Sequence, residues 1–186
     1  MNAELEDRLV QDFPEIFRDW RGDPAQTCMA WGVECPAAWE PAIRAACQEM
    51  AAQVRRVNSQ HPTLGFRVIA DQVKEKFGTL RFYWHSECAL WTAPEAMLPE
   101  HEAAVDQAHT VISGAVAVAE RITSLVCGDC GTPNSRPDIQ QAWGNICVAC
   151  DALRRTEYER RIQELDRRAA ERAEADHNNE NFRSGR

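Results

Sequence analysis

Two cysteine pairs set the strongest constraint on how this chain folds. Cys127 and Cys130 form one C-x2-C pair, sixteen residues follow, and Cys147 and Cys150 form a second. Two cysteines three positions apart close a tight knuckle around one ion, and two knuckles complete a tetrahedron of thiolates. Gly131 directly follows the first knuckle, where backbone N–H groups must turn toward sulfur. Asp151 directly follows the second and reads as a cap for the helix after it, whose N-terminus favours thiolate charge. Sulfur fills every position of the tetrahedron, so the expected ion is a structural Zn2+. Iron is the alternative for the same ligand set. Binding free energies at such sites are about 10–16 kcal/mol, enough to order a loop with few apolar side chains.

Eight cysteines in 186 residues would also suit a secreted disulfide framework. The N-terminal sequence MNAELEDRLVQDF argues against it, being acidic and amphipathic without the features of a secretion signal. A cytoplasmic protein is expected, and no apolar run approaches the roughly 18 residues that span a bilayer. Net charge is −8. Residues 1–60 hold ten acids against six bases, 61–126 eight against five, and 127–186 eleven against ten. An acidic body disfavours nucleic-acid binding, which needs cations to neutralise phosphates. Between Cys127 and Cys150 there is one base, Arg136, against Asp129 and Asp138. Trp143 is expected to pack over the metal loop.

Hydrophobic spacing places the remaining elements. Leu5, Leu9, Phe13 and Phe17 recur at four-residue steps and predict helix over 3–20 with a break near Pro14. Residues 21–37 read as a packed loop carrying Met29, Trp31 and Val33. Trp39, Ile43, Cys47, Met50, Val54 and Val57 predict a helix over 38–58. Residues 66–74 and 79–85 alternate as a β-hairpin turning through KEKFG. Residues 101–126, rich in Ala, Val and Ile, predict a central core helix against the hairpin.

These elements predict an α+β fold, with helices packed on a β-hairpin or small antiparallel sheet. A body over 1–126 precedes a zinc ribbon over 127–150, a charged helix over 151–176 and a polar, disordered tail over 177–186. The charged helix carries a narrow stripe of Tyr158, Ile162 and Leu165. Flanking pairs of Arg and Glu satisfy one another along its surface, Glu157 with Arg161 and Glu164 with Arg168. The stripe is the expected contact with a protein surface: the body, a second copy as a homo-oligomer, or a target.

Other combinations of chemical groups are weaker. His85-Ser86-Glu87 followed by Cys127-x-x-Cys130 superficially matches a zinc deaminase, but Val126 stands where that pattern has proline. That assignment would also strand Cys147 and Cys150. Cys28, Cys35, His85 and Cys88 read as buried or structural groups rather than a second metal site, and a metal-dependent enzyme centred near His85 remains an alternative. The chain holds no phosphate-binding glycine loop, HExxH or nucleophile elbow, so no catalytic residue is assigned.

Five segments taken in order carry a resemblance: FPEIF, CMAWGVEC, VKEKFGTLRFYWHSE, ISGAVAVAERITSLVCGDCG and NICVAC. Together they resemble an uncharacterised family of bacteriophage and prophage accessory proteins with a KEKFGTLRFY-type hairpin and a C-terminal zinc knuckle pair. The likeness runs from about Phe13 to Cys150. It departs at Pro36-Ala37-Ala38-Trp39, where the family carries a glycine-rich segment, and in the longer charged C-terminal helix. The resemblance implies phage origin and an accessory role in the host cytosol. The expectation is a non-enzymatic protein that binds a host protein and inhibits a host defence system in the manner of an anti-CRISPR. The alternative is a nucleic-acid-binding accessory protein using the ribbon and the last helix.

Overall fold

In a computed structural model, residues 1–133 and 145–184 are described, with side chains described to residue 173. Arg136, Asp138 and Trp143 lie outside the described residues. The chain divides into two compact units, Met1–Cys147 and Val148–Arg186.

The first unit is α+β. Its order is α1 (Ala3–Asp12), β1 (Val33–Glu34), α2 (Glu40–Gln60), β2 (Arg67–Lys76), β3 (Thr79–Glu87) and α3 (Pro99–Thr123). Asn2 caps α1 by accepting from the Leu5 N–H. The helix ends at Asp12 rather than crossing Pro14, and Ile16 and Phe17 reach the core from the turns that follow. Pro41 sits in the first turn of α2, where its missing N–H costs nothing. The inner face of α2 buries Ile43, Cys47, Met50 and Val57.

β2 and β3 pair antiparallel from Arg67↔Glu87 to Lys76↔Thr79. The strands run further than expected, because the turn is two residues, Phe77 and Gly78, both with positive φ. That geometry matches the natural twist of a hairpin. A bulge between Ala70 and Gln72 shifts the alternation, which explains the imperfect faces of the sequence pattern. The sheet also has a third strand: β1 pairs parallel to β2 through Val33↔Val73 and Glu34↔Lys74. The expected hairpin is thus present and a short parallel strand makes the sheet mixed, since a two-residue strand lies below what alternation can signal.

α3 packs on α2 and along β3. It closes the free edge of β3: the Leu80 N–H donates to the Thr123 hydroxyl at 3.1 Å and the Phe82 N–H to the Glu120 carboxylate at 3.2 Å. An edge strand whose N–H groups are taken cannot recruit another strand there. α3 lies against the hairpin as expected, but it is buried on one face only. One face buries Ala108, Ile112, Val116 and Ala119, while Val118 and Ile122 face solvent. Alanine makes the helix look uniformly apolar by composition, but only one stripe meets a neighbour.

The second unit is one helix, α4 (Val148–Ser184). It begins three residues before the expected start and extends into the segment read as a polar tail. No helix among the described residues is long and apolar enough to cross a membrane.

Candidate metal centre

The first knuckle is a tight backbone loop. Val126 and Pro133 form an antiparallel bridge at its base. The Cys127 N–H donates to the Thr132 carbonyl at 2.8 Å and the Gly131 N–H to the Cys127 carbonyl at 2.9 Å. Gly131 has φ +72°, the left-handed conformation that glycine adopts without cost. The Asp129 N–H points at the Cys127 sulfur at 3.4 Å, the kind of donor that stabilises a thiolate.

Asn145 ties the segment before Cys147 to this loop. Its side-chain amide donates to the carbonyls of Thr123 and Val126 at 3.1 and 2.8 Å, and its own carbonyl accepts from the Gly128 N–H at 2.7 Å. Gly128 lies against Pro36, and a Cβ there would meet Pro36 at 3.0 Å. The knuckle therefore sits close on the segment after Cys35, and Cys127 is fully buried.

The four sulfurs of Cys127, Cys130, Cys147 and Cys150 all lie within 4.8 Å of one another. The Cys130 and Cys147 sulfurs are 3.8 Å apart. A tetrahedron with Zn–S bonds of about 2.3 Å has edges of about 3.8 Å. The spacing and the all-thiolate donor set both fit a tetrahedral ion, most commonly zinc. With four protein ligands such a site is closed, and its ion acts on folding rather than on substrate.

Asp151 does not cap this helix. α4 starts at Val148, so Asp151 falls in its first turn and pairs with Arg155 at 2.9 Å. An acid in the first turn still favours the positive end of the helix dipole.

The other residues singled out by sequence take separate roles. Cys28, Cys35, His85 and Cys88 form no metal-holding group among the described residues. Cys28 is exposed, while Cys35 and Cys88 are buried. Burial pushes the Cys35 thiol up to about 12, and raises the Cys47 thiol as well. His85 shares its Nδ1 with Asp71 at 2.6 Å, and its Nε2 lies 3.8 Å from Glu87. Glu87 in turn takes both guanidinium arms of Arg18 at 2.9 and 3.1 Å. Those bonds hold the Glu87 carboxyl below its ordinary range and raise Arg18. Asp71, His85, Glu87 and Arg18 thus form a surface network joining β2, β3 and the turn after α1.

Two features escaped the sequence reading. A cleft of about 540 Å3 is lined by Phe13, Val54 and Phe66 together with Arg55 and Arg67. Several large aromatics also stay exposed: Trp31 by 70%, Phe77 by 74%, Trp91 by 49% and Tyr83 by 46%. On α4 the expected stripe is uncovered, with Tyr158 exposed by 66%, Ile162 by 39% and Leu165 by 53%.

Comparison with protein-family models, curated proteins and solved structures returns no match. Fold and site together define an α+β domain with a cluster of four cysteines that could hold a metal ion.

Proposed function

We propose that this is a non-enzymatic, zinc-stabilised binding protein that captures a host macromolecule, with a host protein as the target. The observation that carries the reading is the exposed aromatic and cationic end of the hairpin. Phe77 stands at the tip with the Lys76 ammonium 5.3 Å from its ring centroid, and Lys74 lies 6.0 Å from the Tyr83 centroid. Arg81 follows on β3, but its guanidinium turns to Glu120 of α3 at 3.9 Å and donates to the Leu80 carbonyl. Exposed aromatic rings are costly to leave in water, and tyrosine is among the residues that dominate protein interfaces. On an otherwise acidic chain, this end suits an acidic protein surface.

The zinc centre supports the reading as scaffold: a closed thiolate site contributes folding energy and offers no position to substrate. The resemblance of the FPEIF, CMAWGVEC and hairpin segments to phage accessory proteins supports a bacterial host, phage or prophage origin, and inhibition of a host defence system. The same hairpin end also favours a second reading, nucleic-acid binding, because exposed aromatics stack on bases.

Affinity capture from bacterial lysate with the wild type and with Phe77→Ala/Tyr83→Ala tests both. The proposal expects one host protein retained by the wild type and lost with the variant, whose zinc content stays unchanged. Retention of the same protein by the variant would remove the hairpin as the contact. Capture of nucleic acid that weakens steeply with salt would replace the first reading with the second.

A further inference from the structure

The stripe on α4 has the spacing of one side of a coiled-coil seam. Tyr158, Ile162, Leu165 and Ala169 follow steps of four, three and four, which places Tyr158 and Leu165 at d and Ile162 and Ala169 at a of a heptad. The charges then sort by position. Position c is Glu157, Glu164 and Glu171; position g is Arg154, Arg161 and Arg168; position e holds Glu159 and Asp166. Two consecutive heptads, EYERRIQ and ELDRRAA, share this arrangement.

The outer charges are already matched within the helix. Arg160 pairs with Glu157 at 2.6 Å, and Arg167 pairs with both Glu164 and Glu171. Glu157 therefore pairs one residue earlier than the Arg161 expected from sequence, while Glu164 pairs with Arg168 as well, at 2.8 Å. Three charges flanking the seam, Glu159, Arg161 and Asp166, form no side-chain salt bridge or hydrogen bond among the described residues, although Arg161 lies within electrostatic reach of Glu157. The seam thus presents uncovered apolar side chains, bordered by charges of which Glu159, Arg161 and Asp166 make no ion pair within the helix.

We infer that α4 associates with α4 of a second copy of this chain as a parallel, in-register, two-stranded coiled coil. Charge complementarity selects this occupant. In a parallel pair each g residue faces the e residue five positions on in its partner, so Arg154 meets Glu159 and Arg161 meets Asp166, each twice by symmetry. An antiparallel pair would set g against g and e against e, arginine on arginine and acid on acid. A foreign helix would need the same alternation in the same register, which this chain itself supplies. Ile162 at a with Leu165 at d favours two strands over three or four, while Arg155 at the preceding a position sets like charges across the seam and weakens it. With only two such heptads, the association is weak and concentration-dependent.

The test is sedimentation equilibrium of full-length, zinc-loaded protein from about 1 to about 200 μM, a span that resolves micromolar association. The wild-type mass should rise from one chain to two across this range. Glu159→Arg/Asp166→Arg puts like charges across every g–e contact, and should weaken association by about tenfold or more. Arg154→Glu/Arg161→Glu should do the same alone, and an equimolar mixture of the two variants should restore the two-chain mass. Retained zinc content and circular dichroism show that each variant is folded. A wild type that stays monomeric throughout would overturn the inference. So would self-association unchanged in Glu159→Arg/Asp166→Arg, which would mark an antiparallel pair or another surface. Target capture through the hairpin is read separately, so it stands or falls independently of this result.

Discussion

Gly32→Ala offers a sharp measure of how the body is pinned together. Gly32 has φ 74° and ψ −153°, a region that is essentially glycine-only, and an alanine there costs on the order of 1–3 kcal/mol in backbone strain. The larger effect comes from Glu6. A Cβ on residue 32 would fall on the Glu6 Oε1 atom, far inside contact distance. That oxygen accepts from the Trp20 indole N–H at 2.6 Å and the Val33 N–H at 3.1 Å. Glu6 is 9% exposed, so the carboxylate has little room to move without losing both bonds. Hydrogen bonds to a charged group contribute about 1.5–3 kcal/mol each. Because the groups are neighbours and their effects are not additive, we expect a loss of about 4 kcal/mol rather than the full sum. The assay is urea unfolding of zinc-loaded protein, run as a double-mutant cycle. In a Glu6→Ala background the clash and the lost bonds are already absent, so Gly32→Ala should cost only the backbone strain. The two changes should therefore couple by about 2 kcal/mol. Additive effects, or a Gly32→Ala penalty below about 1 kcal/mol, would refute this account of the loop.

The other predictions concern the metal and the last helix. Purified protein should hold one tightly bound zinc, and Cys147→Ser should lose it while the body stays folded, because the main apolar cluster runs from Leu9 to Ala119; elemental analysis and thermal melts check both points. In thiol titration, exposed Cys28 should react at once, the four ligand cysteines only after chelation, and buried Cys35 and Cys47 only on unfolding. Arg167 and Arg168 hold Glu164 down at about 2, so its contribution is present above the usual glutamate value near ~4.3 and is lost as pH falls toward 2. Far-UV circular dichroism of Glu164→Gln should show a smaller acid-dependent loss of helix than the wild type.

The parts of the fold legible in sequence were those with a strong local period or a fixed ligand spacing. The spacing of Cys127, Cys130, Cys147 and Cys150 specified a set of sulfurs that the fold does bring together, because chelation geometry is written in short separations. α2 was legible because Ile43, Cys47, Met50 and Val57 lie on one face. β1 was not: two residues cannot show alternation, and Val33 joins a sheet only because Val73 lies beside it. Glu6 was unreadable for the same reason. In sequence it is one acid on an acidic helix, and its role depends on Trp20 and Val33 folding back onto it. The heptads of α4 escaped notice because two repeats within one helix are too few to stand out from an ordinary amphipathic stripe.

Burial separates structure from function within two of the segments singled out in the sequence. In CMAWGVEC, Met29, Val33 and Cys35 are core residues, and Gly32 is required by its backbone conformation and by Glu6. In VKEKFGTLRFYWHSE, Val73, Leu80 and Phe82 are core, and Gly78 with Phe77 makes the turn. Packing accounts for all of these without reference to a partner. It does not account for the side chains of Trp31, Phe77 and Tyr83, which remain in solvent. A turn at position 77 needs a positive φ, which asparagine or glycine would supply more readily than phenylalanine. An aromatic ring held at the exposed tip, in a conformation its residue type disfavours, is a cost that its exposed contact with the Lys76 ammonium offsets only in part. That cost is the physical reason to look for the target at the hairpin tip, and it makes Phe77→Asn the most informative single change. By the turn chemistry it should stabilise the hairpin or leave it unchanged, so any loss of target capture would belong to the ring itself.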